Sequence, residues 1–211
     1  MESAFWHEKW ERNDIPFHAS DANPLLVKHF SALALPEGSR VFVPLCGKTL
    51  DIRWLLSNGF RVAGAELSPL AIDQLFAELG AEPAIADVRG ATHYSADGID
   101  IFVGDIFELT RETLGPIDAV YDRAALVALP ENMRARYTAH LTEITSTAPQ
   151  LVICYEYDQT ALDGPPFSIS NDEVRKHYGQ SYTLTVLSSS SVAGGLKGKC
   201  AATENVWLLT T

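Results

Sequence analysis

Gly47 and Glu66, about 20 residues apart, form the pairing of type and spacing with the clearest chemistry in this sequence. Gly47 lies in a short turn, Pro44-Leu45-Cys46-Gly47-Lys48-Thr49, that follows the apolar run Val41-Phe42-Val43. Glu66 follows the next apolar stretch, Phe60 to Ala65. A strand turning tightly into a helix, with an acid at the end of the following strand, is how doubly wound sheets hold an adenosine. The turn admits the ligand and the carboxylate accepts from both ribose hydroxyls. Such charged hydrogen bonds are worth about 1.5–3 kcal/mol each. The plainer alternatives are a helix-start glycine and a solvated loop glutamate. Asp105, after Phe102-Val103-Gly104, falls where a third strand ends, so it or Ile106 can flank an adenine. A turn aspartate is the other reading. Asp122-Arg123 closes a further apolar run, Ile117 to Tyr121, at the same carboxyl-terminal edge. There the pair serves a ligand or simply ends the strand as a local ion pair.

The turn also narrows the ligand. It holds one glycine where dinucleotide-binding turns hold three, and the missing second one is what lets backbone approach a pyrophosphate. It is not a P-loop either: Gly47-Lys48-Thr49 matches the tail of that motif, but Phe42 stands where its first glycine belongs. An adenosine cofactor without phosphate, S-adenosylmethionine (SAM), is the expected ligand. Cys46 sits on this turn with no evident base partner, so a packing role is expected for it. Neither the six histidines nor the three cysteines, Cys46, Cys154 and Cys200, show metal-ligand or paired spacing. No metal site or disulfide framework is expected.

The elements that must position these residues alternate. Asn23 caps a helix with Pro24 at its first position. Val41–Val43 read as a buried strand, Leu50–Leu56 as a helix stopped by Asn58-Gly59, and Phe60–Ala65 as the second strand. Ser68-Pro69 opens a helix running to Leu79 and stopping at Gly80. Two strand-like runs flank Asp97-Gly98, a hairpin turn signal. After the Ile117–Tyr121 strand come a helix over 131–146 and a strand over 151–157. A short helix over 171–177 follows, opened by a Ser170–Glu173 capping box. Residues 182–188 and 204–209 alternate as an antiparallel pair does. Residues 1–20 are aromatic-rich without a clear period and read as a helical extension or flap. The predicted fold class is α/β: a Rossmann-like sandwich with a mixed, mostly parallel seven-stranded sheet, a C-terminal antiparallel strand and helices on both faces. One domain over 1–211 is expected, with residues 1–22 as a lid.

The chain is 46% apolar and 20% charged, with a formal net charge of −11. That balance suits a globular protein with a sizeable core and argues against nucleic acid or an anionic membrane as partner. The N-terminus lacks the apolar core of a signal peptide, and no apolar run is long enough to span a membrane. A cytoplasmic monomer acting on a small molecule is expected.

Taken in order, Val-Phe-Val-Pro-Leu-Cys-Gly-Lys-Thr-Leu-Asp (41–51), Val-Ala-Gly-Ala-Glu-Leu-Ser (62–68), Tyr-Asp-Arg-Ala-Ala-Leu-Val-Ala-Leu (121–129) and Gly-Pro-Pro-Phe (164–167) resemble thiopurine S-methyltransferases, of the bacterial type. Phe-Trp-x-x-x-Trp (5–10) and Phe17-His18 match as well. The resemblance implies SAM contacts at Trp10, Leu45, Glu66, Asp105, Ile106 and Arg123, and substrate contacts at Phe17 and Arg123. Arg123 is the implied catalytic residue, placed between cofactor and thiopurine. Methylation of thiols, with selenium and tellurium compounds as further acceptors, is the implied activity. A second substrate-facing arginine of animal members has no counterpart in the loop 191–199, where Lys197 and Lys199 are the available cations. The competing readings are a methyltransferase for another small acceptor, a nicotinamide-dependent oxidoreductase, and a non-catalytic SAM- or metalloid-binding protein.

Overall fold

Caps and turns read from the sequence fix most element boundaries. The computed structural model describes residues 3–15 and 18–211, which fall into two compact units, residues 1–120 and 121–211. In the first unit, α1 (Ser3–Glu11) precedes α2 (Pro24–His29). The Asn23 side chain accepts from the N–H groups of Leu25 at 2.8 Å and Leu26 at 3.4 Å, satisfying donors that the helix start leaves orphaned. Then follow β1 (Arg40–Pro44), α3 (Leu50–Ser57), β2 (Arg61–Glu66), α4 (Pro69–Leu79), β3 (Ala84–Val88), β4 (Ala91–Ala96), β5 (Ile99–Val103), α5 (Arg111–Leu114) and β6 (Ala119–Arg123). Ser68 caps α4, Pro69 takes its first position, and Gly80 ends it in the left-handed region.

β1 pairs in parallel with β2 and β6, and β2 pairs in parallel with β5. Val41, Phe42, Val62 and Ala63 are wholly buried, as strands covered on both faces require. A Cβ on Gly64, in β2, would come within 2.5 Å of the Ile101 side-chain end and 3.0 Å of the Cys46 sulfur, so a larger residue there requires Ile101 to shift.

In the second unit, α6 (Glu131–Ile144), β7 (Gln150–Tyr157), α7 (Asn171–Tyr178), β8 (Thr183–Ser191) and β9 (Ala202–Thr210) complete the chain. β9 pairs antiparallel with both β7 and β8. The capping box forms by half. Ser170 Oγ accepts from the Glu173 N–H at 3.1 Å. The Glu173 carboxylate is instead gripped by the buried Arg134 guanidinium at 2.7 and 2.9 Å. A buried, charge-assisted pair of this kind, with one guanidinium nitrogen on both carboxylate oxygens, outweighs the single backbone bond the box would give.

The strand order is β3-β4-β5-β2-β1-β6-β7-β9-β8. Nine strands replace the seven expected, and the antiparallel share is larger: β4, the first run of the expected hairpin, carries the unforeseen β3 beyond β5. β3 is exposed along nearly its whole length, so it carries no apolar alternation and was invisible to periodicity. Among the described residues no helix is long and apolar enough to cross a membrane.

Candidate cofactor and acceptor site

Glu66 ends β2 and is 6% exposed. Its Oε2 accepts from the Gly47 N–H at 2.8 Å and its Oε1 from the Ser68 N–H at 2.9 Å. The carboxylate thus ties the turn after β1 to the turn after β2. Burial raises its pKa above the usual carboxylate range, while the backbone N–H groups of Ser68, Gly47 and Leu67, with His7, act to lower it. A carboxylate offers about four acceptor directions, and these two bonds leave others for ligand hydroxyls.

The first turn is bent by Leu45 and Gly47, both left-handed at φ of +47° and +51°. The Cys46 N–H donates to the Ala65 carbonyl at 2.9 Å, and Thr49 caps α3. A non-glycine residue in the left-handed region costs about 1–2 kcal/mol and is held there only by its surroundings. Ala124, directly after Arg123, shows the same feature at φ +64°. Two strand ends that carry expected site residues are therefore both followed by strained backbone.

Trp10, 4% exposed, packs on this turn: a Cβ on Gly47 would lie 2.9 Å from its indole ring. Helix α1 therefore brings Trp10 to the Leu45–Gly47 turn. It also brings His7 within electrostatic reach of Glu66. Sequence reading passed over His7, although its spacing of three from Trp10 sets the two on one helix face. Beyond β5, the Gly104 N–H donates to the Glu66 carbonyl at 2.9 Å, which joins the Asp105 turn to the same corner. Asp105 is exposed and accepts from the Phe107 N–H at 3.0 Å, while Ile106 is 5% exposed. Phe17 lies outside the described residues. Burial, and then the Glu66 charge, push the Cys46 thiol well up, so it stays protonated and packs, as expected.

At the end of β6, Asp122 and Arg123 take opposite faces of the strand. Asp122 is wholly buried and accepts from the Tyr137 hydroxyl at 2.8 Å and the Leu126 N–H at 3.0 Å. It anchors the turn after β6. Burial pushes its carboxyl up to about 6 against the lowering effect of those bonds. Arg123 is partly exposed, and its guanidinium acts electrostatically on Tyr155 of β7. Glu204 of β9 stands directly opposite Tyr155. Neither Tyr155 nor Glu204 was singled out from the sequence, because only strand register brings them together. Lys197 donates to the Pro165 carbonyl at 2.8 Å, so it braces the Gly-Pro-Pro-Phe loop, while Lys199 is exposed. The loop is held further by the Tyr157 hydroxyl on the Pro166 carbonyl at 2.7 Å and by the Phe167 N–H on the Val127 carbonyl at 2.7 Å.

A cavity of about 590 Å³ lies at the other edge of the parallel strands, lined by residues such as Arg40, Arg61, Asp100 and Asp118. Its best cations are engaged internally: Arg40 pairs with Asp100 at 2.9 Å, and His93 bonds the same carboxylate at 2.9 Å. Among the described residues no group of three or more His, Cys, Asp or Glu is placed to hold a metal ion.

The fold is that of class I methyltransferases. A Burkholderia thailandensis 1,6-didemethyltoxoflavin-N1-methyltransferase, solved with 1,6-didemethyltoxoflavin and S-adenosylhomocysteine, matches with a TM-score of 0.66 at 14% identity, over 99% of this chain and 87% of its own. A TehB-like SAM-dependent methyltransferase of Corynebacterium glutamicum matches at 0.57 and 13%, over 99% and 97%. In sequence, the chain is 58% identical to a thiopurine S-methyltransferase of Xanthobacter autotrophicus, over 99% of both chains. It is 53% identical to one of Teredinibacter turnerae, over 100% of this chain and 98% of the other. The profile for thiopurine S-methyltransferase matches residues 1–211, and the chain belongs to that family.

Proposed function

We propose that this enzyme moves the methyl group of SAM to the sulfur of thiopurines and other aromatic or heterocyclic thiols, with selenium and tellurium compounds as further acceptors. Family membership supports methyl transfer. The observation that carries the donor assignment is Glu66: a buried carboxylate, fixed by the backbone of two turns, with acceptor directions left over beside a turn too glycine-poor for a pyrophosphate.

SAM supplies a methyl group already activated on a sulfonium. Glu66 would accept from its ribose hydroxyls, and Asp105 and Ile106 would border its adenine. Leu45 and Trp10 would hold the remainder against the first turn, with Arg123 as a further contact. The chain 1–211 acts as one catalytic domain in this reading, with residues 1–22 as the lid. Trp10, in van der Waals reach of Gly47, is the lid's anchor.

Arg123 has the catalytic role, and Phe17 stacks on the substrate. Methyl transfer is an in-line displacement that needs the nucleophile about 3–3.5 Å from the carbon, and alignment supplies roughly 7–11 kcal/mol of the barrier. A heteroaromatic thiol is substantially ionised near neutral pH, so no general base is required. Arg123 keeps its charge at every working pH and favours the bound thiolate by electrostatics, not by proton transfer.

Incubation with 6-mercaptopurine and methyl-labelled SAM tests the reading. Label on the purine sulfur is the expected result. Tight SAM binding with no label on sulfur from any thiol would overturn the acceptor assignment and leave a methyltransferase of other specificity.

A further inference from the structure

Arg123 is the last residue of β6, and the backbone that follows it has to be held in place. Ala124 sits in the left-handed region at φ +64°. That conformation costs a non-glycine residue about 1–2 kcal/mol and persists only where neighbours enforce it. Leu126–Ala128 then form a short 3-10 turn.

The enforcement comes from one face of α6. Tyr137, wholly buried, donates to Asp122 Oδ2 at 2.8 Å. The other oxygen of that carboxylate accepts from the Leu126 N–H at 3.0 Å, and the Ala125 N–H bonds the carboxylate as well. The bond from Asp122 to Leu126 thus spans Arg123 and Ala124. Arg134 lies three residues before Tyr137, on the same helix face. Its Nε donates to the Leu129 carbonyl at 2.8 Å, at the far end of the turn. One terminal nitrogen also reaches the Ser168 carbonyl at 3.4 Å, and the guanidinium lies 5.5 Å from the Phe167 ring. α6 therefore clamps the segment after Arg123 at both ends.

Of the two clamps, Tyr137 is the one that bears on Arg123. Side chains alternate along β6, so Asp122 meets α6 while Arg123 leaves the opposite face. The two residues share one rigid peptide unit, so a bond that fixes the first also sets the direction of the second. Burial, and then the Asp122 charge, raise Tyr137 well above the ordinary phenol range. Its hydroxyl is therefore a donor at any working pH, and an ionised acceptor strengthens the bond.

We propose that Asp122 and Tyr137 are positioning residues for methyl transfer: their bond fixes the end of β6 and thereby aims the Arg123 guanidinium at the acceptor sulfur. The inference rests on the reading above, in which Arg123 favours the bound thiolate. The pair touches neither donor nor acceptor and moves no proton in the reaction. Its effect is geometric, and a misplacement of about 1 Å is enough to cost roughly 10²-fold in rate.

The test is a double-mutant cycle with 5-thio-2-nitrobenzoate, an aromatic thiol ionised at neutral pH, as acceptor. Tyr137→Phe keeps the buried ring and deletes the hydroxyl. It should lower kcat about tenfold, while calorimetric affinity for S-adenosylhomocysteine stays within about twofold of wild type. In an Arg123→Ala background the same change should cost less than about twofold in kcat, because the group it aims is gone. Asp122→Asn reads the pair from the other side. It should show the same loss and the same dependence on Arg123, and it decides the test if Tyr137→Phe does not bind S-adenosylhomocysteine. Equal losses with and without Arg123, no loss in either variant, or loss of S-adenosylhomocysteine binding in both would overturn the positioning role and leave the pair to packing. Wild-type turnover in Arg123→Ala would instead overturn the reading of Arg123 itself, and a wild-type enzyme that leaves the thiol unmethylated would overturn the thiol reading.

Discussion

The Glu66 corner and the Arg123 row are built by opposite means. At the corner, Gly47, Glu66 and Ser68 come from one strand-turn-helix-strand passage, and the carboxylate is held by backbone N–H groups of its own two turns. In the row, Arg123, Tyr155 and Glu204 come from three strands neighbouring in the sheet but apart in sequence, and register pairs Tyr155 with Glu204. Two buried carboxylates, Glu66 and Asp122, follow suit. Glu66 is satisfied locally and keeps acceptor directions for a ligand. Asp122 takes the Tyr137 hydroxyl from another element and serves as an anchor. Under the proposed assignment, a cofactor common to many reactions takes the local frame, and the acceptor takes side chains that can change one strand at a time.

That contrast breaks most directly at Arg123. Arg123→Ala should lower kcat for a thiopurine about 10²–10³-fold, the loss typical of one charge-stabilising donor, while SAM affinity changes far less. Steady-state kinetics beside a binding titration checks this, and wild-type turnover in the variant would remove Arg123 from the chemistry. At the corner, Glu66→Gln keeps the shape and removes the charge. SAM affinity should weaken roughly 10- to 100-fold, the equivalent of about 1.5–3 kcal/mol for a charged hydrogen bond, read by quenching of tryptophan fluorescence.

Gly47→Ala strikes the frame and not the chemistry. The new Cβ meets Trp10 at 2.9 Å and must sit at φ +51°. A cost of about 1–2 kcal/mol should lower Tm by several degrees, roughly 2–4 °C per kcal/mol for a chain of this size. Trp10→Leu in the same chain should recover only the steric share. An unchanged melting curve for Gly47→Ala would show that α1 does not bear on the turn.

An effect visible through its pH dependence is expected at Asp122. Its carboxyl titrates at about 6 in the folded chain against 3.8 ordinarily, so between these values the folded state holds a proton that the unfolded state has released. Its contribution to stability is full below about pH 4 and is lost as pH rises to about 6. Asp122→Asn should therefore gain stability relative to wild type across that window and no further above it. Denaturant unfolding at several pH values measures this, and a constant difference from pH 4 to 7 would show that Asp122 titrates elsewhere.

What the sequence discloses follows the same division. Asn23-Pro24, Ser68-Pro69 and Asn58-Gly59 state their helix boundaries because caps and stops are local chemistry. Gly47 and Glu66 were legible for the same reason: turn, helix and strand-end acid lie within one short passage. β3 was not legible, since an exposed strand held by its neighbour leaves no hydrophobic pattern. Tyr155 and Glu204 were not either, because a cross-strand pair separated by a helix and a hairpin has no spacing rule. The Ser170–Glu173 box was half right. Its acid met Arg134, a partner from a distant helix, and the stronger bond prevailed.

The claim beneath the whole account is that Glu66 grips a ribose, and calorimetry with S-adenosylhomocysteine and its 2′-deoxyribose analogue tests it on wild type and Glu66→Gln. The account predicts that wild type binds the deoxy analogue about tenfold more weakly, the worth of one charged hydrogen bond, and that the variant nearly ceases to tell the two apart. Equal discrimination in both proteins would contradict it.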